Sequence, residues 1–98
     1  LSVEVIDLRT IVPLDFKTVL QSLRKTGKLL IVHEAARNCG FGAELAARAA
    51  EEAFFSLDAP IMRVTGKDCP VPYCKDLEDE VLPQAKDVET ALRQLIAF

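Results

Sequence analysis

One histidine and its acidic neighbour are the first residues in this sequence that suggest chemistry. His33 is the only histidine of the chain, and Glu34 follows it directly, so the pair could orient a group for proton transfer. It comes at the end of a short apolar run, and α/β proteins place their sites at the ends of parallel strands. A single histidine there is more often a hydrogen-bonded residue that ends a strand, and we favour that structural interpretation.

Three cysteines form the second candidate set: Cys39, Cys69 and Cys74. The odd count, in a sequence without a visible secretory leader, predicts reduced thiols in a cytosol-like compartment. The spacing CPVPYC is wider than the two-residue spacing of zinc knuckles and redox motifs, and its two prolines favour an extended segment that separates the thiols. A metal or redox module built on these thiols and His33 is therefore an alternative that we disfavour.

Two glycines precede an alanine-rich stretch in the pattern Gly40-Phe41-Gly42. The pattern matches the start of a dinucleotide-binding fingerprint, but Leu45 stands where that fingerprint needs a third small residue. Several residues also separate these glycines from the preceding apolar run. We favour helix capping and close packing, and we keep a free-standing nucleotide- or small-molecule-binding α/β module as the alternative function.

The charged residues predict ion pairs and an acidic surface. Arg9 and Arg63 have carboxylates near them in sequence, so structural ion pairs are favoured over a clamp for a substrate carboxylate. The acids in the later turns and in the long loop predict either a solvated surface or an electrostatic docking site for a basic partner. These acids are Asp58, Asp76, Glu78, Asp79 and Glu80.

The elements that must position these residues alternate between strand and helix. The first half predicts a strand over Ser2–Leu8, a helix between Asp15 and Gly27, a buried central strand near 29–32 that is covered on both faces, and an alanine-rich helix from Ala43 onward. This order predicts a parallel sheet between layers of helices.

The second half adds a third strand and a final helix. A strand is predicted over Ile61–Val64, then a long loop over Lys67–Pro83 with a helical turn around Leu77, then a helix near Gln84–Ala97. The predicted fold is therefore α/β, a three-layer α/β/α arrangement with a mostly parallel sheet. A sheet of only three strands leaves open edges, so we expect further strands upstream or a cover from another chain.

Composition narrows the functional classes. The chain has 98 residues, which predicts one domain over 1–98, and half of the residues are apolar, as in ordinary globular proteins. The net charge of −3, without a basic cluster on one face, argues against a nucleic-acid partner. The apolar runs are too short to cross a bilayer, so we expect no membrane partner.

Four segments of the chain stand out together: EVIDLRTIVPLD (Glu4–Asp15), KTGKLLIVHEA (Lys25–Ala35), GFGAELAARAAEEAF (Gly40–Phe54) and LDAPIMRVTGKDCPVPY (Leu57–Tyr73). In these segments the chain resembles the carboxyl-terminal domain of the β subunit of thiamine-diphosphate-dependent 2-oxo acid dehydrogenases of the pyruvate and branched-chain type, and more widely the transketolase carboxyl-terminal domains. The resemblance covers nearly the whole chain in order.

The resemblance implies an assembly and docking role without catalysis in this segment. It implies that the parent enzyme oxidatively decarboxylates a 2-oxo acid and passes the acyl group to a lipoyl-acyltransferase. Thiamine diphosphate and Mg²⁺ would be held elsewhere, between the α subunit and the amino-terminal domain of the β subunit. The implied partners are the α subunit and a second β subunit in an α2β2 heterotetramer, and the subunit-binding domain of the dihydrolipoyl acyltransferase.

The same resemblance implies which residues dock the acyltransferase. That partner is basic in many members of the family, so the expected docking residues are Asp58 and the carboxylate of Phe98, with Asp76 and Glu78 secondary. No catalytic, cofactor or metal residue is expected in the segment. The family's domain normally has a further strand-helix region upstream of Val3–Leu8. The implied compartment is the cytoplasm of a bacterium or the mitochondrial matrix of a eukaryote, and the identity of the 2-oxo acid stays open.

Overall fold

The computed structural model describes residues 2–98, which form two parallel strands and four α-helices. A single 3-10 turn, Phe54–Ser56, follows the second helix. The described elements are, in chain order, α1 Phe16–Thr26, β1 Leu30–Ala36, α2 Phe41–Ala53, β2 Met62–Gly66, α3 Lys75–Val81 and α4 Ala85–Ile96. No helix in this part of the chain is long and apolar enough to cross a membrane.

Local sequence rules determine both ends of α1. The Asp15 carboxylate accepts a hydrogen bond from the Thr18 main-chain nitrogen at 3.2 Å and another from the Thr18 hydroxyl at 2.6 Å. At the other end Gly27 adopts a left-handed conformation, with φ 78°, and its N–H donates to the Leu23 oxygen at 2.8 Å. The predicted helix between Asp15 and Gly27 is therefore confirmed.

The main core lies between α1, α2 and one face of β1. Its members are small or aliphatic side chains, apart from one phenylalanine, and they repeat at helical spacing on α1 and α2. The other face of the sheet is covered by α4, whose Ala91 and Leu95 are buried. The predicted three-layer α/β/α arrangement is confirmed. The main core comprises Phe16, Val19, Leu23, Ile31, Leu45, Ala49 and Ala53.

The two strands pair in parallel, as predicted, but with a bulge in β1. Leu30 pairs with Met62 and Val32 with Val64, and the register then shifts so that Ala36 pairs with Gly66. The segment from Val32 to Ala36 on β1 is therefore two residues longer than the matching segment from Val64 to Gly66 on β2, and residues 33–35 form the bulge. A Cβ on Gly66 would lie 2.3 Å from the Glu34 oxygen, so the bulge packs directly on this glycine.

The predicted first strand over Ser2–Leu8 is wrong for the residues that the structure describes. A strand needs a neighbour to pair its main-chain groups, and residues 2–8 have none in this chain. Val5 is 86% exposed, and the carboxylate of Glu4 instead accepts a hydrogen bond from Lys25 of α1. The sheet consequently has two strands in residues 2–98 rather than three.

The expected burial of the central strand on both faces is also wrong. Ile31 faces α1 and α2 and is buried, whereas Val32 faces the opposite side and is 47% exposed. One helix, α4, is the only layer on that side of the sheet within residues 2–98, and it covers the two strands incompletely. With a single neighbouring strand, β1 also lies at an edge of the sheet instead of at its centre.

The predicted long loop contains a complete short helix. The turn expected around Leu77 extends to α3, two helical turns between Lys75 and Val81. The final helix is confirmed, and it begins with a capping box in which the Gln84 main-chain nitrogen donates to the Asp87 carboxylate at 2.9 Å. The Lys67 nitrogen donates to the Val81 oxygen at 3.0 Å, so α3 returns to the end of β2.

Candidate functional sites at the two edges of the sheet

Asp58 lies at the edge of the sheet where both strands begin. Its main-chain nitrogen donates to the Gly27 oxygen at 2.7 Å, and a Cβ on Gly27 would lie only 2.2 Å from the Asp58 carboxylate. The glycine that ends α1 therefore gives the carboxylate room to lie over the turn between α1 and β1. The side chain is exposed and forms no ion pair within residues 2–98, so its charge is available to a partner.

Phe98 meets the same turn from the end of α4. The ammonium group of Lys28 donates to the Phe98 oxygen at 3.0 Å and lies 3.4 Å from the Ile96 oxygen. Since Lys28 follows Gly27 directly, Asp58 and Phe98 approach neighbouring residues of one turn. The two main docking residues expected from the sequence therefore contact consecutive residues, Asp58 through the Gly27 main chain and Phe98 through the Lys28 ammonium group.

A shallow apolar groove includes Phe98 and also Pro60, which is two residues after Asp58 in the chain. It has a volume of about 510 Å³ and lies between the start of β2 and the end of α4. Phe98 forms one wall, and its side chain is 65% exposed. An apolar groove beside an unpaired carboxylate is suited to a partner that presents an apolar side chain next to a cation. The groove is lined by Pro60, Met62, Gln94, Ala97 and Phe98.

The two secondary docking residues lie at the opposite edge. Asp76 and Glu78 belong to α3, which contacts the end of β2 through Lys67 and Val81. Asp58 and Phe98 lie beside the beginnings of the strands, so the four residues do not form one site. α3 carries four acids and one lysine, and it is therefore a second acidic surface that is separate from the first.

His33 lies in the bulge of β1 and is held between α2 and its own strand. Its Nδ1 is 3.1 Å from the Ala35 oxygen. Its Nε2 is buried and has no hydrogen-bond partner among the described residues. With one ring nitrogen bonded to the main chain and the other shielded from solvent, neither nitrogen is presented to a substrate. The geometry supports the structural interpretation of this histidine over proton transfer.

The two glycines before α2 serve this histidine packing. A Cβ on Gly42 would lie 2.5 Å from the His33 Nε2, and a Cβ on Gly40 would lie 2.9 Å from the His33 Cε1. Gly42 is buried, and Gly40 is the N-cap of α2 with an extended backbone. A Cβ on Gly40 would also lie 2.2 Å from the Ala36 main-chain oxygen. Close approach of the imidazole at Gly42, and of this oxygen and the imidazole at Gly40, accounts for the two glycines and favours packing over a nucleotide fingerprint.

Two arginines connect β2 to the residue after β1, and an amide-carboxylate pair connects the segments beyond both strands. Arg63 donates to the Arg37 oxygen at 3.2 Å, and Arg37 donates to the Arg63 oxygen at 3.1 Å. Asn38 donates to the Asp68 carboxylate through its main-chain nitrogen at 2.8 Å and through its side-chain amide at 2.7 Å. The ion pair expected for Arg63 is wrong, because its guanidinium binds a main-chain oxygen, whereas Arg9 does pair with a carboxylate, that of Asp7 at 2.9 Å.

Sequence reasoning missed Arg37, Asn38 and Asp68 as structural residues. Their partners lie 26 or 30 positions away, and no short motif marks such pairs. They line or border a polar cleft of about 450 Å³ between the end of β2 and the start of α4. All three cysteines are free and exposed, and residues 2–98 hold no group of three histidine, cysteine or acidic side chains that could bind a metal ion.

Comparison with known proteins establishes the family. The family model described as "Transketolase, C-terminal domain" matches residues 1–88, so the chain belongs to this domain family. The chain is 45% identical over 93 residues to the pyruvate dehydrogenase E1 component subunit beta of Rhizobium meliloti, which covers 95% of this chain and 20% of that protein. The resemblance stated from the sequence is therefore confirmed.

Other relatives belong to the same two kinds of enzyme component. The mitochondrial pyruvate dehydrogenase E1 component subunit beta of Ascaris suum is 49% identical over 94 residues, which covers 95% of this chain and 26% of that protein. The 2-oxoisovalerate dehydrogenase subunit beta of Pseudomonas aeruginosa is 51% identical over 76 residues, covering 78% of this chain and 22% of that protein. The chain thus spans less than a third of the length of these curated relatives.

Proposed function

We propose that this chain is the assembly and docking domain of the β subunit of a 2-oxo acid dehydrogenase. The family match supports the domain, and the names of the relatives support the enzyme class. The parent enzyme would oxidatively decarboxylate a 2-oxo acid and transfer the acyl group to a lipoyl-acyltransferase. Relatives of both pyruvate and branched-chain type match at similar identity, so the proposal covers both substrate classes.

The segment itself is proposed to be non-catalytic. Its histidine is held in a packing role, and its described residues offer no set of three metal-binding side chains to Mg²⁺. The described side chains therefore do not fit thiamine diphosphate with Mg²⁺. In the proposal the cofactor is bound by other parts of an α2β2 assembly, in the bacterial cytoplasm or the mitochondrial matrix.

The observation that carries the docking proposal is the pairing of Asp58 and Phe98 around one turn, beside an apolar groove. A basic, partly apolar surface such as that expected for the acyltransferase's subunit-binding domain would place a cation near Asp58 and an apolar side chain in the groove. Asp76 and Glu78 are proposed as a secondary surface that raises the rate of encounter, because Asp76 is an exposed charge and Glu78 a half-buried one, and both lie at a distance from the groove.

Reconstitution tests the enzyme class. The polypeptide at its full natural length would be combined with its α subunit, thiamine diphosphate and Mg²⁺. Oxidative decarboxylation would then be followed with pyruvate and with 3-methyl-2-oxobutanoate in parallel. We expect turnover of one of them that requires the β polypeptide. Formation of a stable complex that turns over neither acid would contradict the proposed class.

Calorimetric titration with the subunit-binding domain tests the docking site. Asp58→Asn removes the unpaired carboxylate with little change in shape, and Glu51→Gln, which removes an exposed acid of α2 outside both proposed docking surfaces, is the control. We expect Asp58→Asn to weaken binding roughly two- to fivefold, as loss of one exposed charge pair would, and more at low salt than at high salt. Equal effects of the two variants at every salt concentration would place the docking surface elsewhere.

A further inference from the structure

Two of the three cysteines follow the residues that join the ends of the strands. Ala36 pairs with Gly66 across the sheet, and two positions further on Asn38 binds Asp68 through two hydrogen bonds of 2.8 and 2.7 Å. The partners of the second pair lie 30 positions apart, the same separation as in the first. The next residue on each side is a cysteine, so Cys39 and Cys69 each directly follow a member of this hydrogen-bonded pair.

This placement is compatible with a disulfide bond. The Cα atoms of a disulfide are usually about 4.4–6.8 Å apart, a separation within reach of residues that directly follow a hydrogen-bonded pair. Both thiols are exposed and free, so a small oxidant can reach them. The pair lies at the open edge of the sheet, outside the packed core, where residues can adjust as the bond forms.

The backbone at Cys39 is a second, independent sign of an unusual position. Its φ is 60°, in the left-handed region that residues other than glycine, asparagine and aspartate rarely adopt. Such a conformation persists where the surrounding structure enforces it, and here the bonds between Asn38 and Asp68 hold the turn. The thiol thus occupies a position where glycine would be more favourable.

Cys74 is the competing partner for Cys69, and its position is less suitable. It is the N-cap of α3, five residues beyond Cys69. The segment between them contains Pro70 and Pro72, which favour an extended backbone, and five extended residues span roughly 17 Å. The hydrogen bonds between Asn38 and Asp68 therefore favour Cys39 over Cys74 as the partner of Cys69.

We propose that Cys39 and Cys69 form a redox site that a small-molecule disulfide such as oxidised glutathione converts to an intramolecular disulfide. One protein thiolate attacks the glutathione disulfide, which forms a mixed disulfide and releases one glutathione thiolate. The second protein thiolate attacks the protein sulfur of that mixed disulfide and releases the second glutathione. Two protein thiols lose two protons and two electrons, and the oxidant gains them as two glutathione molecules.

The disulfide would restrict the motion of the two turns that border the cleft between the end of β2 and the start of α4. It would join the residues that follow β1 and β2 and so hold together the turns beside Arg37 and Asp68, which line the cleft. The site is separate from the docking surface at Asp58 and Phe98, and its presence does not depend on the proposed enzyme class. Excess dithiothreitol would restore the two thiols, because the bond is exposed to reductant.

Peptide mapping tests the proposal on the polypeptide at its full natural length. After treatment with oxidised glutathione, alkylation and trypsin digestion, Cys39 is on peptide 38–48, and Cys69 and Cys74 share peptide 68–75. We expect peptide 38–48 linked to peptide 68–75, with release by dithiothreitol and a loss of two free thiols per chain. The link should persist in Cys74→Ser and vanish in Cys39→Ser and Cys69→Ser.

Each other product would overturn the proposal. A loss of two hydrogens within peptide 68–75 would show a bond between Cys69 and Cys74. A link that Cys74→Ser abolishes would show that Cys39 pairs with Cys74. Mixed disulfides with glutathione alone, links between two chains, or thiols that stay free would show that Cys39 and Cys69 do not meet. Circular dichroism of each serine variant, compared with the unsubstituted protein, would ensure that these outcomes report on a folded chain.

Discussion

Asp15 begins α1 through hydrogen bonds that depend on its charge. The Thr18 hydroxyl and then the Thr18 main-chain N–H donate to its carboxylate and lower its pKa below the ordinary value of 3.8. A pKa that is depressed in the folded state stabilises the fold above the unfolded pKa, and this contribution is lost as the pH falls through the folded pKa. The helix start is therefore weaker in acid.

Substitution of Asp15 tests this dependence. We expect Asp15→Ala to lower the melting temperature at neutral pH, and we expect the difference from the unsubstituted protein to shrink as the pH falls below about 4. Asp15→Asn is the control, because it keeps a capping oxygen that does not titrate. Thermal denaturation followed by circular dichroism across this range checks the sign. A difference that stays constant with pH would refute the role of the charge.

Cys39 gives a second prediction at the residue scale. Glycine has no penalty at a φ of 60°, whereas alanine keeps the penalty and removes the thiol. We expect Cys39→Gly to have a free energy of unfolding about 1 kcal/mol higher than that of Cys39→Ala. Urea denaturation of the two variants measures the difference. A less stable Cys39→Gly would show that the left-handed turn is not populated.

Residues with local partners could be predicted from the sequence, and those with distant partners could not. Asp15 and Gly27 act within four residues of their partners, so capping rules locate them. Arg37 and Arg63 exchange hydrogen bonds with each other's main-chain oxygens, which depends on how the residue after β1 lies against β2. The pattern of arginines and acids favoured ion pairs, and only the fold reveals the main-chain alternative.

At the scale of elements, the packing of α2 on β1 depends on two glycines and a histidine. A Cβ on Gly42 would lie 2.5 Å from His33 Nε2, so Gly42→Ala forces the imidazole or the helix to move. Such overpacking typically costs about 1–3 kcal/mol, and the cost should fall when the ring is absent.

A double-mutant cycle tests this contact. We expect Gly42→Ala to lower the free energy of unfolding substantially in the unsubstituted protein but by less than about 1 kcal/mol in the His33→Ala background. Urea denaturation of the four proteins measures the coupling. Additive effects would show that the ring does not limit the approach of α2 to the strand.

Helices α1, α2 and α4 were predictable as elements, and so was the parallel pairing of β1 with β2, but the lack of a partner for residues 2–8 among the described residues was not. The spacing of Phe16, Val19 and Leu23 is a local repeat that defines a face of α1 whatever surrounds it. The alternation in Ser2–Leu8 is also local, yet a strand exists only when a neighbour supplies hydrogen bonds. The bulge over 33–35 likewise packs its Glu34 oxygen against Gly66 of the other strand. Nothing in the local sequence around Glu34 or Gly66 indicates this contact.

At the scale of the whole molecule, the sheet separates two acidic surfaces that the sequence alone could not distinguish. Asp58 and Asp76 are both acids in or beside turns, but β2 and the segment after it carry them to opposite edges. The contact of Phe98 with Lys28 requires the end of α4 to return to the turn after α1. Asp58 and Phe98 thus contact one turn, whereas Asp76 and Glu78 lie on α3, and the docking roles of all four residues stay a proposal.

Lys28 provides a prediction of opposite sign to that for Asp58. Its ammonium group lies 3.0 Å from the Phe98 oxygen, where it would repel a basic partner. We expect Lys28→Gln to strengthen binding of the acyltransferase's subunit-binding domain roughly two- to fivefold at low salt, and by less at high salt. Calorimetric titration measures this, with Lys75→Gln on α3 as the matched control. Weaker binding of Lys28→Gln would show that the lysine contacts the partner favourably.

Hydrogen exchange measured by mass spectrometry tests the docking surface most directly. The polypeptide at its full natural length would be compared with and without the acyltransferase's subunit-binding domain. The proposed docking role predicts slower exchange at residues 57–62 and 94–98, which surround Asp58, the apolar groove and Phe98. Slower exchange confined to residues 68–82, or no change in a complex known to form, would contradict docking at this edge of the sheet.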